Sequence, residues 1–181
     1  DDRTIELWAD VLGRVAGSRL LLKYYALSQE GVRADLLARF AAAGVGDRID
    51  LDPPGRGTIE TLRAYQRVDI ALDTFPYHGT TTTCEALYMG CPVVALMGRS
   101  CAARVSGSIL RAAGRPEWAA ETAEQFVTIA AGLAGDRVEL AGIRAGLREA
   151  VLGSALCDQA AFVARLEGSL RALWREACAG A

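Results

Sequence analysis

Residues 72–94 read LDTFPYHGTTTTCEALYMGCPVV, and this stretch contains the clearest alternation of predicted strand, loop and helix in the chain. The apolar run at 68–72 predicts a strand, residues 82–90 predict a helix, and the apolar run at 92–96 predicts a second strand. Between the first strand and the helix lies a loop in which Gly79 precedes four consecutive threonines. A strand, a loop, a helix and another strand in this order predict a βαβ crossover between parallel strands.

The same alternation continues on both sides of this stretch. Before it, the pattern predicts strands at 18–23 and 48–51 and helices at 4–16, 31–46 and 58–66. After it, the pattern predicts helices at 102–113, 122–133, 137–151 and 159–178. We therefore expect an α/β domain with a Rossmann-like parallel sheet that carries helices on both faces and is followed by C-terminal helices.

The last predicted helix has an apolar stripe at helical spacing. Its members are Phe162, Leu166, Leu170, Leu173 and Trp174. Such a stripe predicts that the helix packs back on the domain. We accordingly expect a nucleotide-binding lobe at 1–152 and a C-terminal helix packed on it at 153–181.

Composition excludes several classes of function. The net charge of −2 comes from 22 acidic and 20 basic residues, so no basic surface is expected to bind nucleic acid. No apolar run reaches the roughly eighteen residues that span a bilayer, and the acidic N-terminus does not resemble a secretory signal. Five cysteines without a CxxC pair and a single histidine predict neither a zinc site nor disulfides. We expect no metal, no membrane association and a cytoplasmic location.

The threonine loop is the strongest candidate binding site. In open parallel α/β sheets, ligands bind beyond the carboxyl ends of the strands, where a loop leads into the next helix. The amino end of a helix presents unpaired N–H groups and roughly half a positive charge, which favours phosphate. Gly79 allows close approach, and Thr80, Thr81 and Thr82 can add hydroxyl donors to their amides.

Glu85 has two interpretations. Thr82 and Glu85 match the T-x-x-E capping box, in which the glutamate bonds back to the helix start and has no further function. Alternatively, a carboxylate one turn into a phosphate-binding helix can accept hydrogen bonds from a ribose. The motif alone leaves both interpretations open.

The stretch LDTFPYHGTTTTCEALYMGCPVV resembles the nucleotide-binding segment of the O-GlcNAc transferases and their SPINDLY-like relatives, which form glycosyltransferase family 41. The bacterial members of the family have sequence segments similar to this stretch. The resemblance extends to TIELWADVLGRVAGSRLLLK, to the strands within 47–74, and to the later helices that contain RVSGSILRAAG and LGSALCDQAAFVARLEGSLRALW.

The resemblance implies the C-terminal, Rossmann-like lobe of a GT-B enzyme. That lobe is expected to hold the sugar nucleotide of an inverting protein O-glycosyltransferase with a UDP-GlcNAc-type donor and a Ser/Thr acceptor. The acceptor is expected to be bound by an N-terminal lobe or by TPR repeats, which lie outside this chain. No cofactor besides the donor is implied. The family's catalytic lysine is expected before Asp1, so the isolated chain is expected to be inactive.

The resemblance also assigns site residues. It implies that Thr81 and Thr82 cradle the diphosphate and that Glu85 contacts the ribose. The loop after the second strand contacts uracil in the family, which implies the same for Pro54, Gly55 and Arg56. Arg104, at the same sheet edge, is a possible anion contact.

Two departures from the family keep other functions open. The animal enzymes have histidines at the positions of Thr80 and of Thr61, the latter in the short helix of the uracil loop. The chain could therefore be a degenerate transferase lobe that acts as a structural or protein-binding module. It could also belong to a GT-B enzyme that uses another donor, such as GDP-fucose.

Overall fold

The computed structural model describes residues 1–53 and 57–180, in which helices and strands alternate. The strands are β1 (Leu20–Lys23), β2 (Ile49–Asp52), β3 (Ala71–Asp73), β4 (Val93–Leu96) and β5 (Ala119–Ala120). The helices are α1 (Asp2–Arg14), α2 (Glu30–Ala42), α3 (Thr58–Ala64), α4 (Thr81–Tyr88), α5 (Val105–Ala112), α6 (Ala123–Gly135), α7 (Arg137–Leu152) and α8 (Gln159–Ala179). This architecture confirms the predicted α/β class.

Every strand pair is parallel, as predicted, but the strands form two sheets instead of one. β1 pairs with β2, while β3, β4 and β5 form a second sheet in that order. β1 and β3 each have one paired edge and one unpaired edge among the described residues. The single continuous sheet expected from the sequence is therefore interrupted between β1 and β3.

Side-chain caps define where several helices begin. Asp1 accepts a hydrogen bond from the Thr4 amide at 2.9 Å and caps α1. Asp136 accepts from the amides of Val138 and Glu139 at 3.0 and 2.9 Å and caps α7. Each cap satisfies amides that the helix itself leaves unpaired.

Helix α1 joins the two sheets on one face. Its Leu7 and Val11 pack with β4, β5 and α6, while Ile5 and Leu12 pack in a separate cluster with α2 and β2. On the other face, α4, α5 and α7 cover β4 in the largest apolar cluster. The helices therefore lie on both faces, as predicted.

The prediction that the C-terminal helix packs back on the lobe is not met. Helix α8 forms over the predicted residues, but none of its described side chains is buried, and its apolar stripe from Phe162 to Trp174 is exposed. Within 1–53 and 57–180, α8 belongs to none of the three clusters of buried side chains. Neither α8 nor any other helix in 1–53 and 57–180 combines the length and apolar character needed to cross a membrane.

Candidate functional site

The threonine loop lies at the carboxyl edge of the sheet, between the end of β3 at Asp73 and the start of α4. The helix begins at Thr81, one residue earlier than predicted, with Thr80 as its N-cap. The Thr80 side chain makes no capping hydrogen bond. The first turn of α4 consequently lacks the acceptor that an N-cap side chain usually supplies.

The first amides of α4 are unpaired. In the described part of the chain, the N–H groups of Thr80, Thr81, Thr82 and Thr83 have no hydrogen-bond acceptor. Thr80, Thr81 and Thr82 are exposed, whereas Thr83 is buried. Three of these four unpaired amides thus belong to exposed residues at the positive end of a helix, which is an arrangement suited to an anion.

Asp73 holds the loop that carries these amides. Its carboxylate accepts hydrogen bonds from the Gly79 amide at 3.2 and 3.1 Å and from the Thr83 hydroxyl at 3.2 Å. The Ser106 hydroxyl on α5 makes a short hydrogen bond to the same carboxylate. These bonds tie β3, the loop, α4 and α5 together, so the amide cluster has a fixed support.

His78 extends this support into the core. Its Nδ1 accepts from the Ser106 amide at 3.3 Å, and its Nε2 lies 2.8 Å from the Leu96 carbonyl oxygen. These two contacts assign the proton to Nε2, because Nδ1 serves as an acceptor. Since the ring is only 1% exposed and uses both nitrogens, His78 has the hydrogen-bonding role expected for a single histidine in a loop.

Gly79 is required by the tightness of the loop. A Cβ atom at this position would collide with the Thr82 hydroxyl and would lie 2.7 Å from the Thr83 hydroxyl oxygen. The threonine hydroxyls therefore occupy the space that any larger residue at position 79 needs.

The capping interpretation of Glu85 is wrong. Because α4 begins at Thr81, Thr82 is already inside the helix and cannot be the N-cap that a capping box requires. Glu85 is half-buried, and its carboxylate accepts no hydrogen bond within 1–53 and 57–180, although its backbone carbonyl accepts one from the Met89 amide. Its carboxylate is thus available to a ligand, and the ribose contact stays a prediction.

Tyr65 connects the neighbouring short helix to this site. Its hydroxyl donates to the Thr82 carbonyl at 3.1 Å. Burial, and after it the negative charge of Glu85, raises the pKa of Tyr65 to about 12. The phenol is therefore a neutral donor at physiological pH and positions the end of α3 against α4.

The uracil-side residues are only partly described. The Thr61 hydroxyl donates at 3.2 Å to the carbonyl of Gly57, the N-cap of α3. Pro54, Gly55 and Arg56 lie outside the described residues. A contact between these four residues and a base stays a prediction.

Arg104 already has protein partners. Its guanidinium donates to the Gly98 carbonyl at 3.0 Å and lies 3.7 Å from a Glu121 carboxylate oxygen. An anion contact by Arg104 would compete with these interactions. It too stays a prediction.

A cavity of about 1300 Å³ adjoins the amide cluster. It is lined by Gly79, Thr82, Thr83 and Thr61 and by the residues of β1 and β3, whereas Thr80, Thr81 and Glu85 are not among its lining residues. Pockets for drug-sized ligands measure about 300–1,000 Å³, so the space is more than sufficient for a nucleotide.

The fold is that of a Rossmann-type lobe with parallel strands, and its free amides at a helix start beside a cleft have the geometry that suits a phosphate. The chain belongs to glycosyl transferase family 41, whose sequence model matches residues 1–166. This membership confirms the family inferred from the threonine stretch.

Two curated relatives show the extent of the similarity. The chain is 38% identical over 179 residues to the probable UDP-N-acetylglucosamine–peptide N-acetylglucosaminyltransferase SPINDLY of Petunia hybrida, a match that covers 98% of this chain and 19% of that protein. It is 31% identical over 182 residues to the UDP-N-acetylglucosamine–peptide N-acetylglucosaminyltransferase of Caenorhabditis elegans, covering 97% and 15% respectively. The chain thus spans less than a fifth of either relative.

A solved structure shares the fold. A mutant of the Thermobaculum terrenum O-GlcNAc transferase superposes with a TM-score of 0.88 at 38% identity, over 97% of this chain and 34% of that one. This match confirms the predicted GT-B-type lobe.

Proposed function

We propose that this chain binds the nucleoside diphosphate part of a sugar nucleotide, with the diphosphate on the free amides of Thr80–Thr83. The observation that carries the proposal is the cluster of unpaired donors at the start of α4, supported from behind by Asp73. By family membership, the donor proposed is UDP-GlcNAc, and the whole protein would transfer the sugar to Ser or Thr hydroxyls.

Glu85 is proposed to bind the ribose. Its position one turn into α4 places its carboxylate beside the amide cluster, and no capping contact occupies it. A carboxylate can accept hydrogen bonds from both ribose hydroxyls. Thr61 and the loop at 54–56 are proposed to lie on the base side, since Thr61 lines the same cavity as Thr82.

In the proposed reaction, an acceptor hydroxyl attacks the anomeric carbon and the nucleoside diphosphate leaves. The amides of α4 would stabilise the charge that accumulates on the leaving group. A helix start contributes about 0.3–1 kcal/mol toward an exposed charge and up to about 2 kcal/mol toward a partly buried one. Because that is small against an enzymatic rate enhancement, we propose that the isolated chain binds nucleotide without transferring sugar. Turnover of UDP-GlcNAc with a Ser/Thr peptide by the 181-residue chain would contradict this.

The acceptor protein would be bound outside this chain, by the N-terminal lobe or repeats of a longer protein. The five cysteines are all free thiols in the structure. A reducing compartment suits them, and we propose the cytoplasm.

Calorimetric titration of the chain with UDP, UDP-GlcNAc, GDP and GDP-fucose tests the proposal. We expect saturable binding of the uridine nucleotides and weaker binding of the guanosine nucleotides. Tighter binding of GDP and GDP-fucose would replace the proposed donor by a guanosine one. If none of the four nucleotides binds, the chain is a module without donor binding.

Two variants test the assigned contacts. Glu85→Gln should weaken UDP binding about tenfold while leaving inorganic pyrophosphate unaffected, since hydrogen bonds to charged groups contribute about 1.5–3 kcal/mol. Thr81→Val should weaken the binding of UDP and of pyrophosphate alike, because it removes an exposed hydroxyl beside the proposed diphosphate position. Thr128→Val, which makes the same change on the exposed face of α6, is the control and should change neither affinity. Equal UDP affinity in Glu85→Gln and the unmodified chain would remove Glu85 from the site.

A further inference from the structure

A second, smaller cavity lies at the carboxyl ends of β1 and β2. Its volume is about 340 Å³, and Lys23 and Asp52, the last residues of the two strands, line it. It adjoins the larger cavity, since Lys23, Ala64 and Arg67 line both. A volume at the lower end of the range for ligand pockets suits one heterocyclic base better than a whole nucleotide.

Three charged side chains form an ion-pair cluster on the wall of this cavity. Asp52 Oδ2 lies 3.0 Å from Arg67 Nη1 and 3.5 Å from Lys23 Nζ. Lys23 and Asp52 are partners in the register of the parallel pair, so the two strands end side by side. Arg67 reaches them from the segment that follows α3. The sheet edge therefore carries a carboxylate with a cation on either side.

The cluster keeps hydrogen-bonding capacity for a ligand. Within 1–53 and 57–180, Asp52 Oδ1 accepts no hydrogen bond. Lys23 donates to the Pro53 carbonyl at 3.1 Å, and Arg67 donates to Asp52 Oδ2. An ammonium has three donors and a guanidinium has five, so both cations retain further N–H groups. The cluster thus offers one carboxylate acceptor flanked by two donors.

Tyr65 lies between this cluster and the start of α4. Its hydroxyl donates to the Thr82 carbonyl at 3.1 Å. Tyr65 and Arg67 are two residues apart, so their Cα atoms lie within about 7 Å of each other. Burial and, after it, the negative charge of Glu85 raise the pKa of the same phenol, which puts Glu85 on this side of α4. A nucleoside diphosphate whose phosphates lie on the α4 amides can therefore extend past Glu85 to the ion-pair cluster.

The hydrogen-bonding edge of uracil complements the cluster. Uracil presents the N3 donor between the carbonyl acceptors O2 and O4, whereas cytosine has an acceptor at N3 and an amino donor at N4. Guanine presents two adjacent donors, N1 and N2, beside a single acceptor. Of these three bases, uracil alone places a donor opposite the carboxylate and an acceptor opposite each cation.

We infer that Asp52, Lys23 and Arg67 bind the base of the sugar nucleotide and determine its identity. The Asp52 carboxylate accepts from uracil N3–H, and the two cations donate to the flanking carbonyl oxygens. The inference rests on the proposed function, since it takes the diphosphate to lie on the amides of Thr80–Thr83. It assigns base specificity to side chains at the ends of β1 and β2.

The test is calorimetric titration of the 181-residue chain with UDP, CDP and inorganic pyrophosphate. UDP and CDP differ only in the edge of the base, so the ratio of their affinities reports base recognition, whereas pyrophosphate reports the diphosphate position. We expect UDP to bind about tenfold more tightly than CDP. Asp52→Asn should lower this ratio to about one, because a side-chain amide can donate to cytosine N3 as well as accept from uracil N3. Its pyrophosphate affinity should stay nearly unchanged.

The matched control is Asp47→Asn, which makes the same change at an exposed aspartate before β2, at the opposite edge of the sheet. It should retain the tenfold ratio. Arg67→Gln should also lower the ratio, and it decides the outcome if Asp52→Asn does not fold, since the Arg67 side chain is 61% exposed. A purely structural ion pair would lower the melting temperature of these variants without changing the ratio.

The titrations distinguish failure of the inference from failure of the proposed function. If none of the three ligands binds, the proposed function is overturned and the inference with it. If pyrophosphate binds but UDP and CDP bind equally or not at all, the inference alone is overturned. A ratio that Asp52→Asn and Arg67→Gln both retain, or one that Asp47→Asn also abolishes, would overturn it as well.

Discussion

β4 and β1 are both short apolar parallel strands, but they lie in different surroundings. β4 has paired neighbours on both edges and helices on both faces, and its residues are almost fully buried. β1 has one paired edge, borders the cavity, and is half-buried along its length. The comparison shows that the β3–β4–β5 half is a finished core, whereas the β1–β2 half depends on a smaller cluster.

The candidate site lies at the boundary between the two halves. Its support, formed by Asp73, Thr83, Ser106 and His78, belongs to the finished half. Of the loop and helix start, Gly79, Thr82 and Thr83 line the cavity that also borders β1. A hydrogen-bonded support beside a cavity is a suitable arrangement for a binding site.

The largest effect is expected on the free energy of unfolding when one leucine from each half is replaced by alanine. Leu96→Ala in β4 should lower the free energy of unfolding by about 2–5 kcal/mol, as large-to-small changes in a packed core do. Leu21→Ala in β1 should cost clearly less, because Leu21 is only half-buried and borders the cavity. Urea denaturation of both variants measures the difference. Equal losses would contradict the difference in packing between the two halves.

The next largest effect is expected from a substitution that removes the support of the threonine loop. Asp73→Ala leaves the Gly79 amide and the Thr83 and Ser106 hydroxyls without their shared acceptor, and we expect a loss of about 2–4 kcal/mol from these part-buried groups. Asp69→Ala, an exposed aspartate just before the same strand, is the control and should change stability by less than about 0.5 kcal/mol. Thermal unfolding measures the melting temperatures of the two variants. Similar melting temperatures would show that Asp73 does not hold the loop.

A glycine pair should give effects of opposite sign. Gly79→Ala should destabilise by about 1–3 kcal/mol, because the added Cβ meets the hydroxyls of Thr82 and Thr83. Gly142→Ala, in the exposed interior of α7 with open space around it, should stabilise by up to about 1 kcal/mol. Denaturant titration separates the two. A neutral Gly79→Ala variant would mean that the threonine loop is not closely packed.

The smallest effect is a difference in alkaline titration. Burial and the charge of Glu85 raise the pKa of Tyr65 from 10 to about 12, so the folded state holds this proton more tightly than the unfolded state. The stabilisation is complete below pH 10 and is lost as the pH rises toward 12. In the tyrosinate absorbance, Tyr65→Phe should remove the component that titrates last, whereas Tyr77→Phe, which removes an exposed ring, should not. Loss of an early component in Tyr65→Phe would contradict the placement of Tyr65 against α4.

Much of the fold could be predicted from the sequence, because apolar runs and helical periodicity are local signals. β5 was not predicted, since two alanines carry no strand pattern and pair only because β4 lies beside them. The interruption between β1 and β3 was also missed, because a strand's own residues do not encode which neighbour is present. The exposure of α8 was missed for the same reason. An apolar stripe predicts that a helix packs on a surface, but it does not specify which surface.

The site shows the same limit. The threonine cluster and Gly79 could be predicted because the residues that form the start of a helix are consecutive in the sequence. Asp73 and Ser106 were missed, because the contact between them joins residues far apart in the chain and has no spacing rule. The T-x-x-E match misled because the helix begins at Thr81, which places Thr82 beyond the capping position.

The most direct test of the account is a UDP titration of the ¹⁵N-labelled chain followed by amide chemical shifts. If the diphosphate binds at the start of α4, the changes are saturable and are largest at the amides of Thr80, Thr81, Thr82 and Thr83, with α8 unaffected. Saturable binding that leaves these four amides unshifted, or no change at any amide, would contradict it.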